Sequence, residues 1–424
     1  MKEEFLHHIW QFQKFRTQSL KTTNGEDLLL LNKGFINSDS GPDFSNARIK
    51  INEIEWAGHV EIHLKSSDWK RHSHGADKAY DNVILHVVWE FDEPIFARDG
   101  KEIPCLELKD ITPGEVFKSY QSLVNSADQI PCERQFNGVS ELMKLIMLDK
   151  ALMQRLQRKA GIIHQRLEEN KGDWEETVYQ TFLTNFGFKL NSEAFLSLAQ
   201  KLPFRLLRKY QSSIFQLEAL LFGVAGFLDE AQGEYGEKLK AEYSFLKAKH
   251  GLEQNQMQGV QWKFMRTRPG NFPTVRLAQI AGILAKQKSF FDVFTSSSST
   301  FEDFIEFFKT EPSEYWQTHY HFEKTLNSKT QGIGKNSVEN LIVNSVVPVK
   351  IAFAHYSDRA ELTDQAIQLL EAIPAENNRI TRFWKGLGLT VDKMSDSQGS
   401  IELYNEFCLK KKCLNCGIGV ELLK

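Results

Sequence analysis

Residues 59–65 have the sequence His-Val-Glu-Ile-His-Leu-Lys, in which polar and apolar side chains alternate. This alternation is typical of a β-strand, because successive side chains of a strand point to opposite faces. Glu61, His63 and Lys65 are therefore predicted to share one face, opposite the apolar side chains between them. Further β-prone runs between residues 28 and 107 are separated by turn sequences such as Ser-Asp-Ser-Gly-Pro-Asp at residues 38–43. This part of the chain is predicted to form a mixed sheet of about five strands.

Beyond Ile111 the spacing of apolar residues changes to that of amphipathic helices. The longest such run covers residues 141–169, and residues 1–20 are predicted to contain a further short helix. Thr300, which follows four serines, is the predicted N-cap of a helix. The sequence thus predicts an α+β protein, with a mixed-sheet domain over residues 1–115 and a larger all-helical domain over residues 116–424.

The composition is that of an ordinary globular protein, with 41% hydrophobic and 25% charged residues among 424. A formal net charge of −3 gives no global field for a polyanion, so nucleic-acid binding would require a local basic patch. We expect neither a signal peptide nor a membrane span, and therefore a cytoplasmic protein without a membrane partner. The five cysteines do not suggest a disulfide framework.

Residues that suit a metal-dependent hydrolytic site lie on the predicted strand and in the turn before it. Asp43, in a Gly-Pro-Asp turn, and Glu61 are predicted ligands of Mg²⁺ or Mn²⁺, which prefer carboxylate oxygens. His63 is a predicted ligand or general base, and Lys65 a predicted electrophilic helper. The alternative is that these side chains form an ordinary solvated face of the sheet.

Two further histidines, His72 and His74, follow at a spacing of two residues. In a β-rich context such a pair forms half of a zinc or iron site, and we predict that both are metal ligands that support the sheet site. Together with His86 they would also fit a cupin-like metal enzyme. No acid follows His74 at the cupin spacing, which weighs against that alternative.

Three cysteines, Cys408, Cys413 and Cys416, lie within nine residues near the end of the sequence. Because disulfides are disfavoured in the cytoplasm, this spacing indicates a thiolate-bound metal, either an iron–sulfur cluster or structural zinc. Cys132 is the predicted fourth ligand, with Cys105 or a histidine as alternatives. A different possibility is that the thiols are reduced and simply packed.

Arginines and aromatic side chains interleave over residues 262–276. This pattern suits contacts to phosphates and bases, so Arg266, Arg268 and Arg276 are predicted to bind DNA or RNA. The alternative is a proline-framed entry into a helix, with Thr274 as its cap.

Segments over nearly the whole chain, among them GPDFSNARI, VEIHLKSSDWKRHSH and CLKKKCLNCGIG, resemble a bacterial family defined only as domain of unknown function 2851. This resemblance implies no activity. The sheet residues resemble the PD-(D/E)XK nucleases, in which an Asp on one strand and an acidic-x-Lys motif on the next bind metal, and this implies a restriction-endonuclease-like sheet. The chain departs from that motif, because His63 stands two residues after Glu61 and Lys65 two residues later. Some of those nucleases hold an iron–sulfur cluster on one upstream and three downstream cysteines, an arrangement that the cysteines here resemble.

These patterns favour a divalent-metal-dependent nuclease or phosphodiesterase that acts on nucleic acid. The first alternative is a non-enzymatic nucleic-acid-binding or scaffold protein that acts through the arginine-bearing helical surface. The second alternative is a cupin-like metal enzyme.

Overall fold

The chain folds into two compact units. The computed structural model describes residues 1–37, 39–265, 267–286, 289–326, 329 and 332–423. The sheet unit comprises Met1–Leu148, Leu387–Leu389 and Leu403–Lys424, and the helical unit comprises Asp149–Gly386 and Thr390–Glu402. The predicted α+β class is confirmed. The sheet unit also includes the C-terminal cysteines, which the predicted boundary at residue 115 assigns to the helical domain.

A mixed sheet forms the centre of the sheet unit. Its strands are β1 (Leu20–Lys21), β2 (Asp27–Asn32), β3 (Phe35–Ile36), β4 (Phe44–Ile51), β5 (Ile54–Lys65), β6 (Val83–Glu90) and β7 (Cys105–Glu107). They are ordered β1-β2-β4-β5-β6-β7, and β3 pairs with β4. The strands β2, β4 and β5 are antiparallel neighbours, whereas β5, β6 and β7 run parallel. The first six residues of β6 are buried and, apart from His86, apolar, which fits a strand that is covered on both faces.

The hairpin of β4 and β5 determines which residues meet across the sheet. Its turn contains Asn52, whose positive φ of 52° is a conformation that Asn tolerates better than most residues. A bulge then shifts the register of β4, with Asn46 at a φ of 57°. Beyond the bulge Phe44 pairs with Val60. Asp43 is therefore placed beside Glu61.

The sheet unit also contains helices. They are α1 (Glu3–Gln11), α2 (Asp68–Arg71), α3 (Gly114–Asn125), the first turns of α4 (Glu141–Glu169) and, near the C-terminus, α19 (Gly417–Leu422). Both α1 and α2 pack against β5. The apolar face of α1 buries Phe5, Leu6, Ile9 and Trp10. The predicted N-terminal helix and the long helix over residues 141–169 are both confirmed.

The helical unit encloses a large aromatic and aliphatic core. Besides the rest of α4 it contains α5 (Trp174–Phe186), α6 (Phe188–Lys201), α7 (Phe204–Leu207), α8 (Ile214–Val224), α9 (Gly233–His250), α10 (Pro273–Lys286), α11 (Phe290–Thr295), α12 (Phe301–Phe308), α13 (Glu314–Thr318), α14 (Lys335–Leu341), α15 (Val347–Ser357), α16 (Ala360–Glu371), α17 (Arg379–Gly386), α18 (Met394–Glu402) and a small hairpin of β8 (His319–His321) and β9 (Lys324–Thr325). Thr300 caps α12 as predicted, in a reciprocal capping box with Asp303.

One helical run of the described chain, Lys335–Ser357, is long and apolar enough to cross a bilayer. However, 72% of its apolar window is buried inside the protein. A core helix of a globular protein has the same features.

Candidate metal centre

Two of the three polar side chains on the predicted face of β5 are buried, and the third, Lys65, is exposed. Glu61 is 5% exposed and His63 is 1% exposed. His86, which lies beside Glu61 in the parallel register of β6, is fully buried. The segment from Trp69 to His74 packs over this face, because its rings contact those of His63 and His86.

Asp43 and Glu61 fix each other through the backbone. The Asp43 N–H donates to Glu61 Oε2 at 3.1 Å, and the Ile62 N–H donates to Asp43 Oδ2 at 3.0 Å. Burial, reinforced by the negative charge of Asp43, raises the pKa of Glu61 to about 9. Two carboxyl groups are thus held together where only a cation, or a shared proton, can relieve their repulsion.

Three imidazoles, those of His63, His72 and His74, form a histidine cluster next to these carboxyl groups. One nitrogen from each ring lies within 4.8 Å of the others. His63 Nε2 is 3.0 Å from His72 Nδ1, and Glu61 Oε1 is 3.1 Å from His74 Nε2 and 3.6 Å from His63 Nε2. Ser73 takes a left-handed φ of 62° between the two loop histidines. The structure therefore brings four of the predicted metal ligands to one place: Asp43, Glu61, His72 and His74.

Helix α1 contributes two residues that the sequence reasoning missed. His7 Nε2 lies 3.2 Å from Asp43 Oδ2, and the Asp43 carboxylate raises the pKa of His7 against the opposing effect of burial. Burial, followed by the charge of Asp43, raises the pKa of Glu3. Glu3 and His7 are one helical turn apart on the face of α1 that approaches the site. An acid and a histidine four residues apart in a predicted helix were the sequence pattern that could have identified these two residues.

The buried imidazoles are held in the neutral form that binds metals. Burial and the neighbouring His74 lower the pKa of His63 to about 3, and burial lowers the pKa of His74. Burial also lowers the pKa of His86 far below its usual range. His86 Nε2 lies 2.8 Å from His63 Nδ1 and can orient that ring, as the outer partners of metal-bound histidines do.

The spacing of the donor atoms matches a coordination sphere. Ligand atoms at about 2.0–2.2 Å from one ion lie about 3 to 3.5 Å from each other. The separations of 3.0, 3.1 and 3.6 Å among Glu61 and the histidine cluster are close to that range. Within the described chain, the buried His74 Nε2 has no hydrogen-bond partner although Glu61 Oε1 lies 3.1 Å away. An ion between the rings and the carboxylates would satisfy these atoms.

Lys65 lies apart from this site. Its side chain is 54% exposed, and its Nζ is 4.0 Å from Glu90 Oε1. Its backbone N–H donates to Asp68 Oδ2. The structure thus does not place its ammonium with the carboxylates of Asp43 and Glu61, and His63 takes the position two residues after the acid.

The four predicted cysteine ligands lie in the sheet unit, where they are buried and, among the described residues, form no disulfide: Cys132, Cys408, Cys413 and Cys416. We call them the cysteine cluster. Burial and the neighbouring cysteines raise the pKa of Cys132 to about 12 and that of Cys413 to about 11. After burial, Cys416 and Cys413 raise the pKa of Cys132. Cys416, Cys132 and Cys413 likewise add to the effect of burial on the pKa of Cys408, so these thiols lie near one another. Cys105, the alternative ligand, lies on β7 beside acidic residues.

The three predicted nucleic-acid contacts have different outcomes. Arg266 lies outside the described residues. Arg268 is exposed, and Arg276 is 4% exposed within α10. Arg268 and Arg276 both line a cavity of the helical unit.

The family of the chain follows from its sequence over most of its length. A family model described as Protein of unknown function (DUF2851) matches residues 3–379. The chain belongs to this family. The DUF2851 match includes the carboxylates, the histidine cluster and Cys132, whereas the three C-terminal cysteines lie beyond it. No curated protein and no solved structure matches the chain.

Proposed function

We propose that this DUF2851 protein is a metal-dependent hydrolase that cleaves phosphodiester bonds in nucleic acid. The observation that carries the proposal is the convergence of Glu61, Asp43 and the histidine cluster, with His74 Nε2, which has no hydrogen-bond partner in the described chain, facing a carboxylate oxygen. Carboxylates and neutral imidazoles are the ligand types of metal-assisted hydrolysis. Glu61 and His63 are buried, and burying such groups costs stability unless an ion or hydrogen bonds satisfy them, which favours a functional role over a solvated polar face.

The donor set favours a transition metal over Mg²⁺. Three imidazoles suit Zn²⁺, Fe²⁺ or Mn²⁺, whereas Mg²⁺ prefers oxygen ligands and retains its waters. Of the ions expected from the sequence, Mn²⁺ therefore fits this site better than Mg²⁺, and Zn²⁺ fits it as well. The ion would lower the pKa of a bound water and so supply the nucleophile at neutral pH.

The topology supports a restriction-endonuclease-like assignment of the sheet. Asp43, just before β4, lies beside Glu61 of β5 at the open end of this hairpin, and β6 runs parallel to β5. With His63 in the position of the motif lysine, we assign activation of water to the ion and proton transfer to His7 or Asp43. The parallel strands β5, β6 and β7 do not suit the antiparallel double sheet of a cupin, so that alternative is not pursued.

The test is metal-dependent cleavage. The full chain is stripped with EDTA and incubated with fluorescent single-stranded DNA, double-stranded DNA and RNA in the presence of Mn²⁺, Zn²⁺ or Mg²⁺. We expect greater cleavage with Mn²⁺ or Zn²⁺ than with Mg²⁺, and loss of cleavage in Asp43→Asn and His72→Ala. The control His355→Ala changes an exposed histidine of the helical unit and should be fully active.

Calorimetric titration with the same ions distinguishes an error in the phosphodiesterase assignment from an error in the metal-centre assignment. If an ion binds the wild type but not His72→Ala, and no substrate is cut, the site is a metal centre but the phosphodiesterase assignment is wrong. If no ion binds, the metal-centre assignment is wrong as well.

We further propose that the cysteine cluster binds a structural metal, either zinc or an iron–sulfur cluster. Four buried thiols that meet without forming disulfides are the ligand set of both. The loop that presents them is tightly packed, since a Cβ on Gly419 would lie 2.2 Å from the Cys413 carbonyl oxygen. Metal analysis and a visible spectrum of protein purified without oxygen distinguish iron from zinc. Cys413→Ser/Cys416→Ser should lose the metal and Cys105→Ser should retain it; a metal-free wild type would overturn the proposal.

A further inference from the structure

A cavity of about 410 Å³ lies within the helical unit. Its walls come from the junction of α5 and α6, the segment before α10 and the first turn of α10. The cavity has aromatic walls and a few polar groups, chiefly Phe186, Phe188, Phe195, Asn191, Arg268 and Arg276. Its volume and its lining are those of a small-molecule site.

Arg276 is a buried cation at this cavity. Its Nη1 donates to Gln279 Oε1 at 3.0 Å, and its Nη2 donates to Asn271 Oδ1 at 2.7 Å and to Ser337 Oγ at 3.2 Å. The guanidinium carbon lies 4.7 Å from the ring centre of Phe188. All of these partners are neutral.

In the part of the chain that the structure describes, no carboxylate neutralises the Arg276 guanidinium. Among the described residues no Asp or Glu forms an ion pair with it, and the positions outside that description carry no Asp or Glu side chain. Its Nε is buried and has no hydrogen-bond partner in the described chain. Burial lowers its pKa only to about 10, so the group is charged at neutral pH. An unpaired buried charge is costly, and a bound anion would remove that cost.

The cavity wall is built tightly around this cation. Phe188 has a positive φ of 50°, a conformation that is rare and costly for a bulky residue. A Cβ on the preceding Gly187 would lie 2.5 Å from the Asn191 carbonyl oxygen. The close packing of this junction places the Phe188 ring against Arg276.

We propose that this cavity binds the phosphate of a nucleotide, either a free mononucleotide or the phosphorylated end of a nucleic acid, with Arg276 as the phosphate ligand. Arginine pairs with phosphate through parallel hydrogen bonds, and Nε is available for one of them. Arg268, exposed at the rim, supplies a second cation. The aromatic walls suit a base, because bases stack on aromatic rings. The proposal does not depend on the metal centre, which lies in the other unit.

Binding is measured in EDTA, so that the metal centre is empty and no substrate is cut. The full chain is titrated with AMP, adenosine, inorganic phosphate and a DNA dodecamer with and without a 5′-phosphate. Charged hydrogen bonds are strong enough that we expect AMP to bind at least about tenfold more tightly than adenosine. Arg276→Gln should lose about tenfold or more, and Arg268→Gln a smaller factor. Arg205→Gln, which changes an exposed arginine of the same unit, should bind like the wild type.

Each outcome decides the proposal. Preference for the 5′-phosphorylated dodecamer over AMP identifies a nucleic-acid end as the ligand, and the reverse identifies a free nucleotide. If AMP and adenosine bind equally, or if neither AMP nor the phosphorylated dodecamer binds at millimolar concentration, the proposal is wrong. If circular dichroism shows that Arg276→Gln is unfolded, Arg268→Gln decides, and unchanged AMP affinity in that variant overturns the proposal.

Discussion

Replacing Glu61 with glutamine should stabilise the metal-free protein while abolishing its response to metal. The folded protein keeps a proton on Glu61 up to a pKa of about 9, whereas the unfolded chain releases it at an ordinary value near 4.5. The wild type therefore loses folding stability as the pH rises between these two values. Glutamine is nearly isosteric, can accept the Asp43 N–H, and carries no proton to lose.

The expected size of the effect follows from the proton linkage. Each pH unit within the window contributes about 1.36 kcal/mol, so about 2.7 kcal/mol accumulates between pH 5 and pH 7. In a unit of this size, this corresponds to a difference in Tm of about 5 to 10 °C between Glu61→Gln and the wild type. All other titrating groups are the same in both proteins, so their contributions cancel when the two free energies of unfolding are subtracted.

The assay is thermal and urea unfolding of both proteins from pH 5 to pH 8 in EDTA, repeated with Mn²⁺ or Zn²⁺. An ion at a hundredfold excess over its Kd should restore about 2.7 kcal/mol to the wild type and nothing to Glu61→Gln. Glu115→Gln, an exposed carboxylate of the same unit, is the control. Parallel pH profiles for Glu61→Gln and the wild type in EDTA would refute the reasoning, because they would show that Glu61 titrates normally.

Three further changes test the structure around the site and in the helical unit. Lys65→Ala should shift the metal-dependent rise in Tm by less than about one degree, because its side chain is 54% exposed and points to Glu90; a larger loss would return Lys65 to the site. Glu402→Ala should cost about 3–5 kcal/mol in urea unfolding, because it leaves Arg155 without the carboxylate 3.2 Å away. Gly223→Ala should cost about 1–3 kcal/mol by the same measurement, since its Cβ would lie 2.3 Å from the Tyr243 ring, and a neutral effect would show that the ring moves freely.

The sheet and the main helices could be predicted because their signals are local. The alternation in residues 59–65 and the apolar period in residues 141–169 each determine one element, and both appear as β5 and α4. The sequence also indicated Asp43, Glu61, His72 and His74 as candidate metal ligands, because carboxylates and histidines are concentrated in this part of the chain. It could not show that two polar side chains of β5 are buried, since that depends on the packing of α1 and α2.

Residues brought from other parts of the chain were harder to predict. His7 is 36 residues before Asp43, and only the docking of α1 on β5 brings it to the carboxylate. The pairing of Cys132 with the C-terminal cysteines was proposed from residue type alone, and the structure places them together although about 280 residues separate them. No local sequence pattern predicts that the C-terminal segment with the three cysteines belongs to the sheet unit.

The metal centre and the cysteine cluster share one unit, and this suggests a division of roles. The ligands of the proposed metal centre lie on β5, on the turn before β4 and on the segment that packs over β5, and His72 among them is exposed to solvent. The cysteine cluster instead joins Cys132 to a segment near the C-terminus, where a bound ion would close the chain on itself. An ion at the first site is therefore expected to exchange and to act on substrate, whereas removal of the second should destabilise the sheet unit. Loss of the cysteine metal with an unchanged Tm of the sheet unit would contradict this division.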